Sequence, residues 1–413
     1  MAVHKSHASW LRNAGSVFSC ILSLLLFLSP ERAKAQAPAP QPQSQARADP
    51  VEGEALFVFW LVVCLTDLNI RSCFGSDGIW LLCLSLGALA LNTIFGRWGL
   101  KAQSTWNISG ELCNGVAIDS TILDGDIFNP GIKCDCSYNN GTICHIDQLR
   151  IFNLDVVGTI PEELQDLPYL WNLNFWKNYL TGSVPAFFGN FTRMQYLSVG
   201  NNALSGPIPK ELGNLQRLIS LGLSNNNFSG SIPPEFGNLT SIQRLYVDSS
   251  GLRGELPPTL SNLKTLSTLR LQGNSFEGPI PASFSSLNQL TELRIGDIIN
   301  GSSSLEFIRD MTSLSTLVLR NCKISDAIPS NFSHYTSLQQ LDLSFNNITG
   351  EVPQSLFSLS SLAYVFLGNN SLSGNLPAQK SNALMNIDLS YNQLSGTFPS
   401  WVSQRNLQLY VET

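Results

Sequence analysis

Tyr246, Arg270 and Arg294 stand 24 residues apart, Arg244 and Asp248 lie two residues to either side of the first, and Arg320 falls 24 residues after Gly296. Guanidinium groups brought side by side hold a carboxylate or a sulfate through paired N–H donors. Arginine and tyrosine are also the residue types that dominate binding hot spots. A solvated polar face uses the same residues, so only their placement decides between the two readings. Trp176, with Tyr364 and Phe366, offers a second chemistry, the stacking of a ring on a sugar, against the plainer role of covering neighbouring backbone. Groups suited to catalysis are sparse. His334 adjoins the glycosylation signal Asn331-Phe-Ser333, and Glu162-Glu163 follow a proline where negative charge favours the start of a helical turn. Cys134-x-Cys136 with Cys144-His145 could be drawn as a zinc site, but paired C-x-x-C spacings are missing. With no phosphate loop, metal-ligand spacing or nucleophile motif, neither cofactor nor metal is expected, and no turnover by this chain.

The elements that must position these residues follow from a repeat. Prolines at 161, 185, 209, 233, 257, 281, 329, 353, 377 and 399 each close a Gly-x-[Ile/Val/Leu/Phe]-Pro pattern or a close variant, and Leu305 fills the one vacant slot. The step of 24 residues means a solenoid rather than a globule. A unit reads Leu338-Gln-Gln-Leu341-Asp-Leu343-Ser-Phe-Asn346-Asn-Ile348-Thr-Gly350-Glu-Val352-Pro353, which is the leucine-rich repeat pattern. Leu341 and Leu343 alternate as on a short strand facing inward, while Gln340, Asp342 and Ser344 face outward. One coil cannot bury its own apolar face, so coils must stack. Seven residues before each proline stand Asn178, Asn202, Asn226, Asn274, Asn346, Asn370 and Asn392, whose amides can bond buried backbone of adjacent coils. Leu154, Ser250, Ile298 and Cys322 interrupt that column, and Cys322 is read as a buried structural thiol. The glycine permits a turn, and the proline bends each coil off the strand in a segment that donates no ladder hydrogen bond.

With the period known, the outward columns can be written. Tyr246, Arg270 and Arg294 share one column, and with coils about 4.8 Å apart they form a contiguous strip with Arg244, Asp248 and Arg320 in reach. Trp176 sits further along the same face.

The Gly-x-Ile-Pro element combined with the Asn column resembles the extracellular leucine-rich repeats of plant receptors over about residues 91 to 413. A narrower resemblance rests on Asn129-Pro-Gly-Ile-Lys-Cys134-Asp-Cys136, Cys144-His145-Ile146, Leu149-Arg150-Ile151 and Asp155-Val-Val-Gly-Thr-Ile-Pro161, with the irregular stretch Gly296 to Ile308. These are similar to the cap and repeats of malectin-containing leucine-rich repeat receptor-like serine/threonine kinases, subfamily eight. The resemblance implies an α/β solenoid, a right-handed superhelix of plant-specific type with a parallel sheet on its concave face and a disulfide-bonded N-terminal cap. It further implies a malectin-like domain, a spanning helix and a kinase after the repeats. No kinase motif occurs before Thr413.

The domain reading is a secretory signal at 1–35, a Pro/Gln-rich linker at 36–55, an apolar insert at 56–90, a cap at 91–148 and about ten to eleven coils at 149–413. Lys5 and Arg12 before the apolar run Val17 to Leu28 set out the signal, which is too short to span a bilayer. The insert matches nothing in the family and is read as a retained intron or gene-model artefact. Cys113, Cys134, Cys136 and Cys144 then remain in the cap, and an oxidising compartment makes them two disulfides with three possible connectivities.

Glycosylation signals begin at Asn107, Asn140, Asn190, Asn227, Asn238, Asn300, Asn331, Asn347 and Asn369. None occupies a position two, four or six residues before the Asn column, so sugar would leave the concave sheet bare. A net charge of −6 supplies no basic footprint for nucleic acid. The expected partner is a peptide, protein or wall-derived saccharide on the concave face, or a second receptor ectodomain. The expected location is the extracellular side of the plasma membrane, reached through a C-terminal part beyond this chain. A secreted inhibitor or decoy of a wall-degrading enzyme is the alternative. Leu407 to Thr413 carry no capping cysteines, so a truncated receptor product, prone to aggregate alone, is expected.

Overall fold

The computed structural model describes residues 85–101, 112–120, 122–123, 128–141 and 143–412. The signal, the linker, residues 56–84 of the insert and the acceptor Asn107 lie outside the described residues.

The repeat folds because the central residue of each short strand and the residue two positions on, just past the strand in most coils, are apolar and point the same way. Leu341 and Leu343 are fully buried, as are Leu269, Leu271, Leu293 and Ile295 in other coils. One coil carries only this narrow apolar stripe, so burial requires the next coil. The result is a 13-stranded sheet that starts with an antiparallel hairpin, Gly131–Tyr138 against Ile143–Arg150, and continues with parallel strands in sequence order. Among these are Arg244–Tyr246, Thr268–Arg270, Glu292–Gly296, Thr316–Arg320 and Gln340–Asp342. Short 3-10 turns such as Lys210–Asn214 and Pro234–Asn238 pack on the opposite, convex side. There Gly213 lets one turn approach the next: a Cβ on it would stand 2.5 Å from the Glu235 carbonyl oxygen.

The asparagine column does what its spacing demands. Asn346 Oδ1 accepts from the backbone N–H of Cys322 (2.9 Å) and of Ile324 (3.1 Å), and its Nδ2 donates to the carbonyls of Leu319 (2.8 Å) and Leu343 (2.9 Å). Asn178 and Asn274 repeat the pattern. Where the amide is missing, Ser250 Oγ donates to the Leu223 carbonyl at 3.1 Å and the Cys322 thiol lies 3.4 Å from the Ile295 carbonyl. Past the Ile298 gap the irregular stretch ties to the preceding coil further along: Asn300 Oδ1 accepts from Gly278 N–H and Ser303 Oγ from Ile280 N–H. Leu305, in the vacant proline slot, is buried.

Two expectations change. The segment leading into Gly-x-Ile-Pro does join a ladder: Val157–Thr159, Tyr179–Gly182, Ala203–Pro207 and Asn227–Ser229 form a second, four-stranded sheet along the flank. Its glycines adopt left-handed backbone, +77° at Gly182 and +80° at Gly206, which lets a two-residue ladder turn at once toward the proline. Ser344 is buried rather than outward, because Arg320 Nη1 donates to its hydroxyl at 2.9 Å and covers it. Val318 is buried too, a short side chain in register between Arg294 and Asp342.

The cap closes the first coil. Helix α1, Ser85–Arg97, begins inside the 56–90 stretch and buries Ala90, Leu91, Ile94 and Phe95. Trp98, just beyond it, meets Phe175 edge-to-face at 5.1 Å and donates its Nε1–H to the Thr159 carbonyl. Of the three connectivities, the disulfides are Cys113–Cys134 and Cys136–Cys144, the second tying the hairpin strands together. Glu162–Asp166 form the expected 3-10 turn, with Glu163 paired to Arg97. Among the described residues no helix is long and apolar enough to cross a membrane, and no group of His, Cys, Asp or Glu could hold a metal.

Candidate functional site

The strip expected at the centre of the sheet is assembled by register. Tyr246 pairs with Arg270, and Arg270 with Arg294, on three consecutive strands. The Arg270 guanidinium lies 5.2 Å from the centre of the Tyr246 ring, a cation–π contact that orients it along the face. Arg244 is half-buried two residues upstream, and Asp248 accepts from the Ser224 hydroxyl at 2.7 Å. Arg320, one coil beyond Arg294, is held by Ser344 and by the Phe345 ring, whose centre is 4.0 Å from the guanidinium.

Glu292 joins the two central arginines. Arg270 donates Nε and Nη2 to the two Glu292 oxygens, both at 3.0 Å, and Arg294 donates Nε to Glu292 Oε1. Strand alternation explains it: Glu292 and Arg294 are two apart and share a face, and Arg270 reaches diagonally from the preceding coil. Burial pushes the Glu292 carboxyl up, yet the hydrogen bonds from Arg270 and Arg294 outweigh it and hold the group below its ordinary value. The same bond to Glu292 raises Arg270. The seat stays accessible, with side-chain exposures of 41% for Arg270, 26% for Arg294 and 17% for Glu292.

Trp176 is separate from this strip. One ring face is stacked on Phe152 at 5.4 Å and 12°, and its edge leans over Gly200. Tyr364 is exposed and Phe366 half-buried farther along, beside Asp342 and Asp388 in register. The structure therefore does not bring the three aromatics together.

Asn140, Asn190, Asn227, Asn238, Asn300, Asn331 and Asn347 are exposed on turns or flank strands, and Asn369 is half-buried where the sheet ends. His334 is exposed. Burial pushes the Cys322 thiol far above its ordinary value, which suits a structural group and not a nucleophile.

Two features had no signal in the repeat. Tyr138, His145 and Tyr169 form a ring cluster at the cap edge, His145 stacked on Tyr169 at 3.7 Å with Arg193 over it. Burial, then the neighbouring Arg193 charge, lowers the His145 pKa. A cleft of about 470 Å³ lies between the cap and the first coils, lined in part by Asp147, Gln148, Trp171, Asn172 and Tyr196. Asp147 accepts from Trp171 Nε1 at 2.7 Å, and burial raises its carboxyl. Both features join cap residues, Tyr138, His145 and Asp147, to side chains of the first coils, and the 24-residue period places only the latter.

The family model described as leucine-rich repeat region matches residues 250–411, and that described as Leucine Rich Repeat matches 193–215 and 217–239. A probable LRR receptor-like serine/threonine-protein kinase of Arabidopsis thaliana is 54% identical over 84 residues, 20% of this chain and 8% of that protein. The chain thus spans under a tenth of the length of such relatives. Among solved structures, the LRR ectodomain of the plant membrane receptor kinase GASSHO1/SCHENGEN3 from Arabidopsis thaliana, in complex with CASPARIAN STRIP INTEGRITY FACTOR 2, is 29% identical with a TM-score of 0.57. That match covers 68% of this chain and 40% of the ectodomain chain. The Arabidopsis receptor kinase HAESA, in complex with the peptide hormone IDA and the co-receptor SERK1, is 26% identical with a TM-score of 0.56, covering 70% of this chain and 57% of that one.

Proposed function

We propose that this leucine-rich repeat solenoid, whose relatives are plant LRR receptor-like serine/threonine kinases, is the extracellular ligand-binding region of such a receptor. Its ligand is an acidic peptide or protein segment lying across Tyr246, Arg270, Arg294 and Arg320, with Arg244 and Asp248 at the margin and Trp176 as an outlying contact. The cap motif favours the malectin-containing subfamily eight within that family, and the place of action is the outer side of the plasma membrane.

The observation that carries the reading is the in-register file of Tyr246, Arg270 and Arg294 on a sheet whose outward positions bear no glycosylation signal. Arginines partly desolvated on a rigid sheet bind anions with less ordering cost than the same side chains on a loop. The likeness to plant receptor structures solved with peptide hormones, HAESA with IDA among them, supports the same direction. In the proposed arrangement Tyr246 supplies a rigid aromatic contact and the guanidiniums supply directed N–H donors. The chain contributes recognition, and any phosphoryl transfer belongs to a kinase domain elsewhere in the full receptor.

Replacing Arg270 and Arg294 together by Ala, and titrating a fluorescein-labelled oligoglutamate peptide, tests this. The double variant should lose at least tenfold in affinity while keeping its melting profile. Unchanged affinity would remove the strip from the binding face.

A further inference from the structure

The two arginines at the centre of the sheet are not empty-handed. Glu292 sits on them as a ligand would, both oxygens on the Arg270 fork and Oε1 shared with Arg294. An arginine fork matched to a carboxylate at two equal 3.0 Å bonds is the geometry by which guanidinium recognises an external carboxylate. The carboxylate comes from the strand that carries Arg294 and lies on the surface rather than in the core.

We propose, building on the ligand-binding reading above, that Glu292 is a resident ligand of this seat: an internal carboxylate that the partner's own carboxylate or other anionic group must displace to gain Arg270 and Arg294. Three observations support displacement over a fixed structural triad. First, Arg270 is 41% exposed and its guanidinium rests on the Tyr246 ring, so it keeps its place when the carboxylate leaves. Second, Glu292 stands in register with Thr268 and Thr316, small neighbours that leave its longer side chain room to swing aside. Third, the coil does not depend on the pair: its backbone pairs on both sides, and Leu293 and Ile295 supply its core.

The consequence is selectivity. A seat holding its own carboxylate rejects weak, singly charged and diffuse anions, because each must outcompete a tethered group. An anionic cluster that engages Arg270, Arg294 and Arg320 together succeeds, since it gains a third guanidinium that Glu292 does not reach. Apparent affinity is the intrinsic affinity reduced by the fraction of seats that are open, so removing the resident must raise it.

The test uses the full chain and a fluorescein-labelled oligoglutamate peptide, read by anisotropy. Glu292→Gln keeps the shape of the side chain and removes its charge. Asp297→Asn, on the same strand's C-terminal flank, where the Asp carboxylate accepts from Asn321, makes the same change in net charge outside the seat. Displacement predicts that Glu292→Gln tightens binding about tenfold, that Asp297→Asn changes it less than twofold, and that Arg270→Ala cancels the gain in the Glu292→Gln background. Equal gains from Glu292→Gln and Asp297→Asn would overturn the proposal and leave only a general charge effect. Weaker binding by Glu292→Gln would overturn it too, making Glu292 an organiser of the arginines. Wild-type binding that is insensitive to Arg270→Ala sinks the ligand-binding reading itself, a result distinct from the other two. Melting curves of each variant, expected to keep one cooperative transition with only the small shift that loss of the surface pair brings, establish that the fold is intact.

Discussion

Asn346→Ala should be among the most damaging single changes in the array, and its cost can be worked from the bonds it breaks. The amide is 7% exposed and serves five backbone groups, one of which, the Ser344 carbonyl, also accepts from the Asn321 N–H. The Leu343 carbonyl keeps a partner, because Asn370 Nδ2 also donates to it at 3.0 Å. The N–H groups of Cys322 and Ile324 and the carbonyl of Leu319 lose theirs, and all three residues are buried. A buried polar group left unpaired costs about 1–3 kcal/mol, so the substitution should destabilise by about 3–5 kcal/mol. Because each coil touches only its neighbours, the loss also weakens coupling between the two halves of the solenoid, and unfolding should broaden. Asn346→Ser should recover part of this, since Ser250 shows a hydroxyl in the same column donating to the carbonyl one coil back. Urea denaturation followed by circular dichroism measures all three, with the exposed neighbour Asn347→Ala as a control expected within about 0.5 kcal/mol of wild type. A loss below about 1 kcal/mol for Asn346→Ala would refute the view that the column binds coil to coil.

Gly213→Ala places a methyl group 2.5 Å from the Glu235 carbonyl oxygen, so convex turns must separate; urea denaturation should show a loss of about 1–3 kcal/mol. Glu292 has a folded pKa held below its ordinary 4.5, so its contribution is present above that value and is lost as pH falls through the folded pKa. The melting temperatures of wild type and Glu292→Gln should therefore differ most near neutral pH and converge in acid; a constant gap from neutral pH to about pH 3 would contradict the pairing. Cys322 is fully buried with a raised pKa, so iodoacetamide should label it only after unfolding, as mass spectrometry of pulsed samples would show.

The repeating part of the fold was open to sequence reading because three independent constraints share one period. The leucines must be buried, the asparagines must satisfy backbone, and the glycines must turn. Leu341, Asn346 and Gly350 each carry one of these duties and each was placed by counting alone. The flank sheet was missed because its strands are three to five residues long and their side chains alternate too briefly to leave a pattern. In the site, the column Tyr246, Arg270 and Arg294 followed from the period, as did the outward position of Glu292, but its pairing with the two arginines did not. It stands in a neighbouring column, and only the reach of a diagonal arginine makes it part of the seat. Ser344 was misplaced for a similar reason: an outward position becomes buried when a long neighbour such as Arg320 folds over it. The cap cleft and the Tyr138, His145 and Tyr169 cluster each need cap residues that no repeat places, set against side chains of the first coils.

Hydroxyl-radical footprinting of the full chain, with and without saturating oligoglutamate peptide, tests most directly whether the inner sheet is the binding wall. The account predicts that Tyr246 on the inner strip becomes protected while Tyr179 on the flank and Phe398 near the last coils, both exposed, keep their reactivity. Protection at Tyr179 or Phe398 with Tyr246 unchanged would contradict it.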